Sequence, residues 1–205
     1  ASITVCKALK DRMVELGADS EKIRVLRNGV DLEMFRPMDV SGVEHNSPNS
    51  NVTLLSVGHL IARKGHDLVI EALLQLPQAS LLIAGDGPEE QALRALVKKH
   101  KLDARVTFLG AVSHRELAQV YNAVDIMVLA SSREGWANVL LEAMACGTPV
   151  VATSIWGTPE VVSEPAAGVL VPERSASGLA DGVRRLLENY PNPEDTRRYA
   201  ERFSW

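Results

Sequence analysis

Short apolar runs without alternation recur along the chain, and most are followed by a stretch with helical periodicity. Such runs predict strands at residues 52–58, 80–85, 106–110, 125–129, 150–153 and 168–171. Helices are expected over 66–76, 88–100, 114–122, the stretch leading to Cys146, 176–189 and 194–203. Strands that stay apolar on consecutive residues belong in a parallel sheet covered on both faces. The repeat therefore predicts an α/β fold with an open, doubly wound, Rossmann-like sheet whose ligands sit at the carboxyl ends of the strands. Gly58, Gly85 and Gly110 close three of those strands and are expected to converge on one crevice.

The first fifty residues are patterned differently. Residues 2–5 and 23–26 read as short strands, 7–16 as a helix with Leu9, Met13 and Leu16 apolar, and Asn28-Gly29 as a turn pair. Residues 31–35, ahead of Pro37, form one helical turn, and the Ser, Asn, Pro and Gly of 38–50 read as a mobile linker. The chain opens on Ala1 without a methionine and closes on Phe203, Ser204 and Trp205, so a piece cut from a longer protein is expected.

Composition narrows the function classes. With 205 residues, 46% of them hydrophobic, 23% charged and a formal charge of −4, the chain has the make-up of a globular protein and not of a nucleic-acid binder. Cys6 and Cys146 lack metal-ligand spacing and read as reduced structural thiols of a cytoplasmic protein. The five histidines form no ligand pair, and no apolar run reaches the ~20 residues of a membrane helix.

The stretch from Glu134 to Thr153 carries the most chemistry. A loop carboxylate, Glu134, precedes an amphipathic helix; Glu142 follows eight residues later, and Gly147-Thr-Pro149 stops the helix. A helix N-terminus presents unpaired N–H groups and the positive end of a dipole, a seat for phosphate. Glu142 lies one turn after Asn138 on the same stripe, and a carboxylate there accepts hydrogen bonds from sugar hydroxyls. The competing reading is helix-end electrostatics for Glu134 and a solvated face for Glu142. A glycosidase pair would need a carboxyl of raised pKa in a sugar cleft, and the sequence offers no sign of one.

Arg63 and Lys64 follow the strand ending at Gly58 and sit where they can reach a diphosphate, the arginine as a fork and the lysine as a point charge. Standing alone, such a pair is usually a solvated face. Gly85-Asp-Gly-Pro88 lacks a dinucleotide fingerprint and reads as a tight turn with Pro88 opening a helix. Ser131 and Ser132 lie in no nucleophile elbow and are assigned to helix capping or sugar contact.

Taken in order, Asn28-Gly-Val-Asp31, Phe35-Arg-Pro37, Ser56-Val-Gly58, Arg63-Lys-Gly65, Ile83-Ala-Gly-Asp-Gly-Pro88, Val106-Thr-Phe-Leu-Gly110, Ala123-Val-Asp125, Glu134-x7-Glu142 and Gly147-Thr-Pro149 closely resemble the retaining glycosyltransferases of family 4, which have the two-domain GT-B fold. The resemblance spans nearly the whole chain and implies the C-terminal, donor-binding half. Residues 1–37 would be the tail of the N-terminal domain and the hinge, and 51–205 a nucleotide-sugar-binding domain truncated at its C-terminal end. It implies that Arg63 and Lys64 hold the donor diphosphate and that Glu142 binds the ribose hydroxyls. Glu134 and the backbone around Gly135, Trp136, Ala137, Asn138 and Val139 would meet the transferred sugar. Gly58 and His59 would border the phosphates, and Ala111 and Val112 the base.

Two departures stand out: His59 occupies a position where many members carry arginine, and Trp136 either narrows the sugar pocket or packs against the hinge. The implied chemistry needs no metal and no cofactor, with a UDP-sugar as the default donor. The acceptor (a glycan, lipid or small molecule) and any peripheral membrane contact would come through the missing domain. The alternative from another class is a non-catalytic Rossmann-like nucleotide-binding or regulatory module.

Overall fold

The computed structural model of the protein describes residues 1–39 and 52–204; most of the expected linker, 40–50, and the first residue of the expected domain, 51, lie outside them, as does Trp205. Strands β1 (Ser2–Thr4) and β2 (Ile23–Val25) pair in parallel and flank α1 (Lys7–Glu15). A six-stranded sheet follows, built from β3 (Val52–Val57), β4 (Ala79–Ala84), β5 (Val106–Gly110), β6 (Ile126–Leu129), β7 (Val150–Thr153) and β8 (Gly168–Val171). Its order is β5-β4-β3-β6-β7-β8 and every pairing is parallel.

Alternate side chains of each strand enter different cores, which is why the strands carry no polar face. Leu55, Val57, Met127, Leu129, Val150 and Ala152 pack beneath α4 (His114–Asn122), α5 (Asn138–Ala145) and α8 (Pro193–Glu201). On the other face Leu54, Leu81, Ile83, Ile126, Val128 and Val151 meet α2 (His66–Ala72), α3 (Glu90–Lys99) and α7 (Ala176–Glu188). The doubly wound sheet expected from the apolar runs is thus the fold observed.

The chain winds outward from β3 through β4 to β5, returns to β6, and winds the opposite way to β8. In an open sheet of this order the ligand crevice is expected at that reversal, outside the carboxyl ends of β3 and β6. The loops leaving those two strands meet there, the Ser132 amide donating to the Arg63 carbonyl at 2.9 Å. Two of the glycine strand ends close up beside it. The Gly58 amide donates to the Ala84 carbonyl at 3.0 Å, and that of Gly85 to the Gly110 carbonyl at 2.7 Å. Gly85 has φ of +139°, and a Cβ there would strike the Gly58 carbonyl oxygen. Only glycine combines that backbone with that approach.

The first 37 residues pack onto the sheet domain. Cys6, Val30 and Phe35 belong to the core under α4, α5 and α8. One oxygen of Glu160 accepts the Lys7 and Ala8 amides at 2.7 and 3.2 Å, and the other accepts Arg27 at 2.6 Å. Glu160 lies in α6 (Thr158–Val161), a four-residue helix that the sequence reading missed.

Several expected boundaries shift. The helix over 66–76 breaks after Ala72 into a 3-10 turn at Leu73–Gln75. The helix expected to open with Pro88 starts at Glu90, because Pro88 and Glu89 lie in a turn closed by the Glu90 amide donating to the Gly87 carbonyl at 3.2 Å. Gly85-Asp-Gly-Pro88, read as a tight turn, instead lays its backbone along the 58–60 loop, with the Leu60 amide donating to the Asp86 carbonyl at 2.7 Å, and the local turn falls at residues 87–90. In the first helix no residue is buried, and Leu16, read as part of its apolar face, is 73% exposed.

Candidate active site at the sheet reversal

Arg63 and Lys64 occupy a 3-10 turn, Ala62–Lys64, between β3 and α2. The stem of Lys64 lies across Gly58, its Cε 3.4 Å from where a Cβ at residue 58 would stand. Its ammonium then crosses the reversal to the loop after β6, where Nζ meets Glu134 Oε1 at 2.6 Å. Ser131 Oγ donates to the same oxygen at 2.7 Å. Arg63 donates to the Arg133 carbonyl at 2.9 Å and brings its guanidinium within 3.8 Å of Glu134. Lys64 and Glu134 are 17% and 11% exposed in their side chains, against 44% for Arg63. The two cations and the first carboxylate therefore share one mouth.

Glu134 is thereby committed to Lys64 and Ser131, which sets aside simple helix-end electrostatics. The residue before α5, Ala137, provides no side-chain cap, so no side chain satisfies the first-turn amides from that position. Asn138 opens the helix, and its Oδ1 accepts from Asn28 Nδ2 at 3.2 Å.

Glu142 lies one turn further along α5. It is not a solvated face residue: the Tyr121 hydroxyl donates to its Oε2 at 3.1 Å. Burial pushes its carboxyl pKa above the ordinary value, while the Tyr121 hydrogen bond and the nearby His114 pull it back. A carboxylate half-buried and held by one donor retains lone pairs for further hydroxyls.

Other expected residues are placed as follows. His59 lies 3.7 Å from Asp86, both side chains largely exposed. Trp136 is buried, its ring 5.9 Å from Phe203 and beneath the Arg27 guanidinium at 5.7 Å. Gly135 and Ala137 flank it, Val139 is half-buried, and Ala111 and Val112 leave β5 at the same end of the sheet. Both cysteines are buried and unpaired, as expected of structural thiols. Cys6 caps α1 by accepting the Leu9 amide, and burial raises the Cys146 thiol to about 12.

Sequence reasoning missed the groups that hold these residues. Ser131 was read as a cap or sugar contact, whereas it fixes Glu134. Tyr121 lay on an apolar helix face with no sign of its partner. Arg174 donates from Nε to the Ala130 carbonyl at 2.8 Å and from a terminal nitrogen to that of Ala62 at 3.4 Å, tying the two crevice loops together. Only the serine, three residues before Glu134, carried a local signal.

Fold and crevice together define a doubly wound α/β domain with a charged site at its sheet reversal. The profile of the glycosyl transferases group 1 family matches residues 41–203, and the chain belongs to that family. It is 34% identical to the D-inositol 3-phosphate glycosyltransferase of Mycobacterium tuberculosis, in an alignment spanning 92% of this chain and 42% of the relative. A sucrose-phosphate synthase from Thermosynechococcus elongatus superposes with a TM-score of 0.90 at 30% identity, over 99% of this chain and 54% of that one. Anabaena HepE, solved in complex with UDP-glucose, superposes with a TM-score of 0.85 at 25% identity, over 98% of this chain and 59% of that one. The chain thus spans about half the length of these relatives. Among the described residues no helix is long and apolar enough to cross a membrane.

Proposed function

We propose that this chain is the C-terminal, donor-binding half of a retaining GT-B glycosyltransferase of family 4 that moves a sugar from a nucleotide diphosphate to an acceptor in cytoplasmic glycan, glycolipid or surface polysaccharide synthesis. The observation that carries this reading is the meeting of Lys64 with Glu134 across the sheet reversal, 2.6 Å apart. In this reading Arg63, Lys64 and the α5 amides receive the diphosphate, Glu142 the ribose hydroxyls, and Glu134 with residues 135–139 the transferred sugar. Ala111 and Val112 border the base, and UDP is the default nucleotide, as in the HepE complex.

Charge builds on the leaving diphosphate as its bond to the anomeric carbon breaks. Two cations and oriented amides already aimed at that point lower the barrier without reorganising. This neutralisation assigns no step to a metal. Acceptor and acid–base groups would come from the other half, so the present chain holds donor weakly and does not turn it over. The exposed apolar side chains of Ile3, Leu16 and Leu26 suit a segment that packs against that other half.

The test is a titration of the protein with UDP, GDP and ADP. One of them binds, and Arg63→Ala/Lys64→Ala weakens it at least tenfold, since each charged hydrogen bond contributes roughly 1.5–3 kcal/mol. Equal binding by the double variant would favour an inert module.

A further inference from the structure

Among the described residues, two other than glycine have positive φ: Lys101 at +56° and Trp156 at +45°. The first has a structural cause. Lys101 follows the end of α3, and the Leu102 amide donates back to the Val97 carbonyl at 3.0 Å, the usual left-handed finish of a helix. Trp156 has no such excuse. It occupies the second position of a tight turn after β7, in which the Thr158 amide donates to the Ile155 carbonyl at 2.9 Å. The next residue, Gly157, has φ −79° and ψ −9°, so the turn needs its left-handed residue at 156, where glycine is preferred. Gly157 is demanded for a separate reason, since a Cβ there would collide with the Gly135 carbonyl and sit 2.9 Å from Cys6 Cβ.

The indole does not offset that strain by filling the core. It is 39% exposed and enters no aromatic or cation–π pair among the described residues, unlike Trp136. Its turn abuts the site: the Gly157 amide points to the Glu134 carbonyl at 3.4 Å, and both loops leave the carboxyl ends of adjacent strands, β6 and β7. Backbone strain of this kind clusters where a side chain is required for function.

We propose that Trp156 is the aromatic platform on which the transferred pyranose ring rests at the Glu134 end of the crevice. A hexose presents an apolar C–H face that a π-face attracts, while its hydroxyls turn toward Glu134 and the 135–139 backbone. This rests on the donor-site reading and adds to it a residue that distinguishes sugar from bare nucleotide.

The experiment compares wild type, Trp156→Gly and Trp156→Phe for binding of UDP, UDP-glucose, UDP-galactose and UDP-N-acetylglucosamine, together with thermal midpoints. Trp156→Gly relieves the turn, so its midpoint stays level or rises and its UDP affinity stays within twofold. Its Kd for the best-bound nucleotide-sugar, relative to UDP, rises about three- to tenfold. Trp156→Phe keeps most of the sugar preference. An unchanged ratio in Trp156→Gly, no nucleotide-sugar binding by wild type, or a lowered midpoint with uniform loss of all ligands overturns the platform. Failure of wild type to bind UDP overturns the donor-site reading beneath it.

Discussion

Lys64 Nζ and Glu134 Oε1 lie 2.6 Å apart although 70 residues separate them in the chain. The lysine leaves β3 and the glutamate leaves β6, the pair of parallel strands between which the chain's winding across the sheet reverses. Under the proposed donor-site reading, an incoming diphosphate competes with a carboxylate for this ammonium. Glu134→Gln removes that competitor, so UDP affinity should rise several-fold while sugar transfer by the complete enzyme falls at least a hundredfold. Titration calorimetry beside a transfer assay checks both. A parallel fall of the two would mean that Glu134 holds the nucleotide itself.

Lys64→Ala should lower stability as well as donor binding. It strips a mostly buried carboxylate of its nearest cation, leaving Ser131 and the more distant Arg63. A loss of about 1–3 kcal/mol is expected in urea unfolding, short of a fully buried pair because Arg63 can move closer. The double variant Lys64→Met/Glu134→Gln should recover part of it.

The carboxyl of Glu142 gives the site a pH dependence. Its pKa is raised, burial being the largest cause. If the ionised form takes the ribose hydroxyls, nucleotide affinity climbs as pH rises from the ordinary glutamate range through the raised value, then levels. Tyr121→Phe deletes the donor that favours ionisation and moves the Glu142 component of the climb to higher pH; Glu142→Gln removes that component and leaves the one contributed by ionisation of the terminal phosphate of UDP. Kd for UDP measured from pH 4.5 to 8 reads all three.

His66 is expected to contribute to acid sensitivity. Its Nδ1 lies 2.8 Å from Ser56 Oγ, the ring is buried, and burial lowers its pKa to about 4, with the Lys64 charge acting in the same direction. The unfolded chain takes up this proton near pH 6.5 and the folded chain only near 4. Between those values the unfolded state binds more protons, so stability falls as pH falls, by up to about 3 kcal/mol from this group. Urea midpoints of wild type and His66→Gln should diverge across that window and run parallel above pH 7.

Gly85→Ala tests the crevice floor. The new Cβ would strike the Gly58 carbonyl on a backbone with φ of +139°, so a loss of 3 kcal/mol or more is expected. A thermal midpoint within a few degrees of wild type would mean that the glycine strand ends need no close contact.

The six strands were legible because a doubly covered parallel strand leaves an uninterrupted apolar run, as in Val52–Val57 and Val150–Thr153. Arg63, Lys64 and Glu134 were legible as types placed just after strands, and strand order then brought them together. Their supports were not. Tyr121 reaches Glu142 from another helix, and Arg174 reaches Ala130 across 44 residues, contacts without any local pattern. The four residues of α6 are too few for a periodicity, and Trp136 could be assigned to packing only once Phe203 and Arg27 were seen around it.

The most direct measurement is a crystal structure of the protein with UDP. It should place the diphosphate on Lys64, Arg63 and the first amides of α5, with the ribose hydroxyls on the Glu142 carboxylate. UDP bound away from the β3–β6 reversal, or bound there with Lys64 still paired to Glu134 and Glu142 untouched, would contradict the account.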